Sequence, residues 1–256
     1  MIFFFKILVF FAGACLGSFL NVVIYRVPLG MSVVTPRSKC PGCKKSIYWF
    51  ENIPMISYLF LKGKCSECDF KISKRYPLIE LLCGVVTLIL FLKIDTYSQI
   101  YFYLFQVSIA LTFIALFFID LDHKLLPDSI NLYLGATLLA YSAFQYSWKY
   151  MLLGFLIGGG FPFLITWLFY KLRGKIGLGG GDIKLWAALG IYLGPVDVVH
   201  NIFLSCLLGA VVGLSMIAAK VISRDNAIPF GPFILIVATL QIFLPDLYAQ
   251  LKSLIV

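Results

Sequence analysis

Apolar runs dominate the chain, separated by short polar breaks and one long one. Eight runs approach the roughly 20 residues a helix needs to cross a bilayer: 2–25, 77–93, 99–119, 127–147, 150–170, 183–195, 197–219 and 229–251. The sixth is short because Pro195 ends it. The pattern predicts an all-α polytopic membrane protein with about eight transmembrane helices. Residues 1–25 form the first helix, 26–76 a polar cytoplasmic loop domain, and 77–256 a core of about seven helices. No internal repeat or low-complexity tract appears. AGAC at 12–15 has the look of a lipoprotein cleavage site, yet only Lys6 precedes it and the apolar run continues to Tyr25. The segment is therefore expected to remain as a helix.

Composition supports this class. The chain of 256 residues is 61% hydrophobic and 13% charged, with mean hydropathy +0.95. Soluble proteins hold about 45–50% apolar and about 25% charged residues, so a soluble domain is excluded. The net charge of +9 records topology rather than affinity for nucleic acid. With the N-terminus outside, the inner loops 26–76, 120–126, 171–184 and 220–228 hold ten, one, four and two Lys or Arg. Lys6, Lys93, Lys149 and Lys252 lie at outer ends. Both termini are thus expected outside, with Asp95, Asp197 and Asp246 as capping or interfacial residues there and Asp225 in an inner loop.

Seven cysteines divide by context. Cys15, Cys83 and Cys206 lie alone in apolar runs and read as small core residues. CPGC at 40–43 and CSEC at 65–68, with 21 residues between the pairs, suit one tetrahedral zinc held by Cys40, Cys43, Cys65 and Cys68. Four thiolates leave no place for water, so such a zinc is structural and supplies folding energy to a loop too short for a large core. A pair of redox-active CxxC sites is the alternative. A cytoplasm-facing loop argues against stable disulfides.

Acidic residues are few enough to weigh singly. Glu51, Glu67 and Asp69 read as solvated surface of the loop, and Glu80 as membrane-embedded or interfacial. FFIDLDHKLLPDS places Asp120 at the end of the third run, with Asp122, His123 and Asp128 following. Asp182 follows Gly179, Gly180 and Gly181 at the start of the sixth. The charge-derived topology sets Asp120 and Asp182 at one membrane depth. Two carboxylates sharing a proton there form an acid–base couple able to activate water and polarise a peptide carbonyl. The three glycines would let an extended substrate approach. The alternative is that Asp182 caps its helix and Asp120 pairs with Lys124. His123 and His200 do not fit a metal site. Asn21 and Arg26, near the inner end of the first helix, are placed either to contact a substrate or to anchor the helix at the interface, and anchoring is the expected role.

These residues carry a resemblance. The chain resembles the bacterial type IV prepilin leader peptidases, intramembrane aspartic proteases with a GxGD motif. The likeness lies in GSFLNVVIYRVP (17–28), CPGCKKSI (40–47), NIPMISYLFLKGKC (52–65), ISKRYPLIELL (72–82), FIDLDHKLLPD (118–128), GGGDIKLWAALG (179–190) and IPFGPF (228–233). The resemblance implies a multi-pass protein of the bacterial inner membrane that cleaves leaders from prepilins or pseudopilins at the cytoplasmic face. It implies Asp120 and Asp182 as the catalytic pair, with Asp122 in reserve. The four-cysteine loop is typical of members that also N-methylate the new terminus with S-adenosylmethionine. No glycine-rich cofactor motif marks a site for that donor, and Gly63 in LKGKC is the candidate. Substrate prepilins and membrane lipid are the expected partners. A small transporter with a zinc-stabilised domain, or a non-catalytic secretion assembly factor, are the competing classes.

Overall fold

The computed structural model describes residues 2–255 apart from 95, 97–98, 175–176, 222 and 224–227. Asp95 and Asp225 lie outside the described residues. All regular elements among the described residues are helical, apart from two isolated β-bridges. The chain forms two compact units, residues 1–111 and 112–256.

In the first unit, α1 (Ile2–Arg26) packs along α3 (Arg75–Phe91). Ala14, Ile79 and Cys83 are fully buried in this packing. Cys83 is thus the small core residue expected, whereas Cys15 and Cys206 face outward from their helices. The connecting loop carries two 3₁₀ turns (Val27–Leu29 and Trp49–Asn52) and a short α2 (Ile56–Phe60). Arg26 is buried and donates to the carbonyls of Ser32 and Pro36 at 2.9 and 2.8 Å. Asn21 donates to the carbonyl of Tyr76 at 3.2 Å, so both residues are anchors. The unit ends within α4 (Ile100–His123), whose last turns belong to the second unit.

The second unit continues with α5 (Asp128–Gln145), α6 (Trp148–Arg173), α7 (Gly180–Ala218), α8 (Gly231–Phe243) and α9 (Pro245–Ile255). Ser147 caps α6 by accepting the amide of Tyr150, and Gly174 closes it in the left-handed conformation. Between α6 and α7 the backbones touch. A Cβ on Gly154 would lie 2.0 Å from the Gly190 carbonyl oxygen. That seam is the small-residue packing by which membrane helices approach closely.

α7 is a hairpin, not a rod. Gly194, at φ 73° and ψ −176°, breaks it, and Pro195 begins the return arm. Trp186 Nε1 donates to Asn201 Oδ1 at 2.9 Å although fifteen residues separate them. A straight helix would hold them about 22 Å apart. Tyr150 fills the notch at Gly194 and donates to the freed Leu193 carbonyl at 2.6 Å. The two arms, 180–193 and 195–218, correspond to the sixth and seventh apolar runs, with the break one residue before Pro195.

Among the described residues, α1, α4, α6 and α7 are long and apolar enough to cross a membrane. The α8–α9 pair, bent by 106°, makes a fifth candidate. The eight predicted spans are therefore not all met by helix length and apolarity: α3 has 17 residues and α5 carries Asp128 and Asn131 in its first turns. Leu153, Phe161, Leu164, Ile165 and Trp167 face outward from α6, a surface suited to lipid. The protein is a multi-pass membrane protein.

Candidate active site and cysteine cluster

Two helix N-termini bring the predicted carboxylates into one place in the second unit. Asp120 sits in the last turn of α4, only 4% exposed, and its Oδ2 accepts the Gly231 amide at 2.8 Å. Gly231 opens α8, so the positive end of that helix faces the carboxylate. Asp182 sits in the first turn of α7, 9% exposed, and takes the Gly179 amide behind it. The two carboxylates lie near enough for their charges to interact. Asp182 therefore does assist its helix start, as the capping alternative supposed, while also facing Asp120. Among the described residues no ion pair joins Asp120 to Lys124, and Asp122, His123 and Lys124 are exposed.

The loop after α4 holds this arrangement together. Leu126 is buried against both helix starts: a Cβ on Gly181 would lie 2.9 Å from Leu126 Cβ, and one on Gly231 3.1 Å from Leu126 Cδ2. Asn131 on α5 donates to the Gly181 carbonyl at 3.3 Å, leaving its buried Oδ1 without a partner. Lys184 and Asp128 pair at 2.6 Å across the same helices. The three glycines thus differ. Gly181 makes room for Leu126, Gly179 for the carboxylate of Asp182 itself, and Gly180 alone faces open space. Sequence reasoning gave all three to substrate approach and missed Leu126, Asn131 and Gly231. The signal for Gly231 was present in IPFGPF.

The paired cysteines converge in the first unit. Their four sulfurs lie within 4.8 Å of one another, with Cys40–Cys68 at 3.7 Å and Cys43–Cys65 at 3.9 Å, and all are free thiols. A tetrahedral zinc with Zn–S near 2.3 Å requires sulfurs about 3.8 Å apart, so the donor set and its spacing fit that ion. Each pair sits in an eight-residue hairpin closed by a bridge, Lys39 to Ser46 and Lys64 to Lys71. The amide of Cys40 donates to Lys45, and that of Cys65 to Phe70, at the same position of each hairpin. The loop therefore contains a short structural repeat that the sequence reading did not find. Amides of Glu67 and Cys68 point at the Cys65 sulfur and hold its thiol down at about 6. Lys45 ties the hairpins, pairing with Glu67 at 3.0 Å and Glu51 at 3.3 Å. The Ser66 hydroxyl also donates to Glu51, holding that carboxyl below its usual range. Glu51 is thus part of a network rather than solvated surface, while Glu67 and Asp69 are exposed as expected.

The remaining candidates have local roles. Gly63, at φ 70°, closes the turn after α2, and a Cβ there would meet the Tyr58 hydroxyl at 2.8 Å. His200, Tyr248 and Lys252 all surround Asp197 Oδ1, joining α7 to α9. Glu80 is buried and accepts the Met55 amide at 2.7 Å.

Residues 11–94 match the family profile described as Bacterial Peptidase A24 N-terminal domain, and residues 107–214 match that of the Type IV leader peptidase family. The chain belongs to this family. The two profiles cover the cysteine loop and both aspartates respectively. A prepilin leader peptidase/N-methyltransferase of Stutzerimonas stutzeri is 36% identical over 88% of this chain and 85% of its own length. Proteins of the same description from Legionella pneumophila and Neisseria gonorrhoeae are 34% and 38% identical. They match 90% and 86% of this chain, and 88% and 84% of their own lengths. No solved structure matches the chain significantly.

Proposed function

We propose that this protein is an intramembrane aspartic endopeptidase that removes the leader from type IV prepilins or pseudopilins and methylates the new N-terminus. The observation that carries the reading is the pair of buried carboxylates, Asp120 and Asp182, delivered by different helices and each met by a helix N-terminus. Helix amides offset part of the penalty of burying two acids side by side. One carboxylate, ionised, removes a proton from a water held between the two. The other, protonated, donates to the scissile carbonyl oxygen. Collapse of the tetrahedral adduct breaks the C–N bond, and the leaving nitrogen takes a proton from the first acid. Gly180, the open glycine, is where the extended strand passes, with the residue after the bond hydrophobic as in the family.

Cys40, Cys43, Cys65 and Cys68 would hold a structural zinc, which stabilises the loop and takes no part in cleavage. S-adenosylmethionine supplies the methyl group. The membrane reading is eight crossings in the bacterial inner membrane with both termini outside, the arms of α7 counting as two. Transport is the weaker alternative, because its carboxylates would sit at mid-helix rather than at helix ends.

The test is a purified assay on a synthetic prepilin, following cleavage and methylation separately. Asp120→Asn and Asp182→Asn should each lower cleavage at least about 10³-fold with zinc retained, and together do little more than either alone. The wild-type rate should trace a bell against pH where chemistry limits it. Normal cleavage by Asp120→Asn alongside loss in Asp122→Asn would move the first role to Asp122. Indifference to all three changes would reject the dyad.

A further inference from the structure

A cavity of about 650 Å³ opens in the first unit, where the end of α1, the start of α3 and the cysteine loop meet. Its size suits a ligand of nucleoside dimensions. Its wall carries Ser18, Asn21, Arg26, Ser57 and Glu80, all buried. Four of these have local tasks. Asn21 and Arg26 bind backbone carbonyls, and Ser57 donates to the Phe50 carbonyl at 2.7 Å. Ser18 donates to Glu80.

Glu80 is different. It is 8% exposed and receives the Ser18 hydroxyl and the Met55 amide, yet no lysine or arginine pairs with it among the described residues. A buried carboxylate without a cation is destabilising, and a cationic ligand would relieve it. Tyr25, Tyr58 and Tyr76 also line the cavity, and phenol rings offer faces to a cation or a nucleobase. A second hollow of this unit, about 300 Å³ and lined by Arg37, Ser38, Ile47, Tyr48, Trp49 and Asn52, has no acid.

We infer that this cavity is the methyl-donor site, taking the sulfonium nucleoside S-adenosylmethionine with Glu80 facing its positive charge. This rests on the methyl-transfer activity proposed above. In the transfer, the peptide amine forms a new N–C bond as the C–S bond breaks. Sulfur keeps the bonding electron pair and the amine releases a proton to solvent. The spent donor is therefore an uncharged thioether at the sulfur, which Glu80 holds less tightly, so the same carboxylate favours binding of donor and release of product. Cys40 and Cys65 stand on the wall, which makes the cavity dependent on the metal cluster.

The full-length, zinc-loaded protein in detergent is titrated by equilibrium dialysis with S-adenosylmethionine and, separately, with S-adenosylhomocysteine, the neutral thioether. The sulfonium should bind more tightly. Glu80→Gln should weaken the sulfonium by about tenfold and the thioether by less than about twofold, since only a charge is lost. Ultraviolet crosslinking of radiolabelled S-adenosylmethionine to the unmodified protein should label peptides within 18–80, a readout independent of any variant's folding. Label confined to residues 112–256, or equal loss for both nucleosides in a folded Glu80→Gln protein, overturns the site while leaving methyl transfer standing. A wild-type protein that binds neither nucleoside overturns the methyl-transfer reading itself.

Discussion

Replacing Gly231 by alanine separates the position of Asp120 from its chemistry. The glycine amide holds Asp120 Oδ2 at 2.8 Å, and a Cβ on the same residue would stand 2.8 Å from that oxygen and 3.3 Å from its carbon. It would also press on Leu126 Cδ2 at 3.1 Å. To restore ordinary contact the carboxylate must retreat by roughly 0.5 Å. A misplacement of about 1 Å at a reacting group can lower the rate by about 10²-fold, so a tenfold or greater loss in kcat is expected, about 1.4 kcal/mol of barrier per factor of ten. Folding should not suffer. Gly231 does not adopt a left-handed φ, and alanine in a helix restricts the unfolded chain, worth up to about 0.5–1 kcal/mol in favour of the native state. The expected pattern is a slower enzyme that melts no earlier. The assay is cleavage of a synthetic prepilin beside a thermal melt, with Gly160→Ala as the control because a Cβ there meets open space. Cleavage within about twofold of wild type for Gly231→Ala would refute the reasoning, since no 0.5 Å shift could then matter.

Three further outcomes are expected. Metal analysis should find about one zinc per chain, lost on replacing Cys40 and Cys65 by serine, and a disulfide in fresh protein would contradict this. Asn201→Ala should lower stability by about 2–4 kcal/mol in denaturation, because it strands the buried Trp186 Nε1 and Gln241 Oε1 together; a loss under about 1 kcal/mol would mean the α7 hairpin does not depend on that network. A reporter fused after Val256 should behave as extracytoplasmic and one inserted within 34–70 as cytoplasmic, the reverse pattern turning the aspartates to the wrong face.

What could be read from the residues alone followed from scarcity and apolarity. With 12 acidic residues in 256, the depth shared by Asp120 and Asp182 stood out, and the two CxxC pairs announced their own cluster. Long apolar runs marked the helices, but not which of them are long enough to cross alone. The supports of the carboxylates were hidden because they are tertiary. Gly231 is 111 residues from the oxygen it binds, and Asn131 is 50 from the carbonyl it holds. Pro195 correctly signalled a break in α7, while the residue that turns the chain is Gly194, made possible by a tyrosine from another helix. The twin cysteine hairpins, 39–47 and 64–72, share the pattern K-C-x2-C-x3-I, but a unit so short is hidden behind the two CxxC pairs it contains.

The first arm of α7 has a geometric consequence for the substrate. Its 14 residues, 180–193, reach only about 21 Å, whereas the apolar layer of a bilayer is about 30 Å thick. With the Gly194 turn at the outer boundary, as the proposed topology has it, Asp182, twelve residues along, sits roughly 12 Å short of the inner one. The scissile bond must then be drawn beneath the headgroups to be cut. A hydrophobic stretch following that bond sinks there unaided, while a charged leader stays in water and marks how deep the peptide can slide. On that geometry the membrane itself serves as the ruler that sets where cleavage falls.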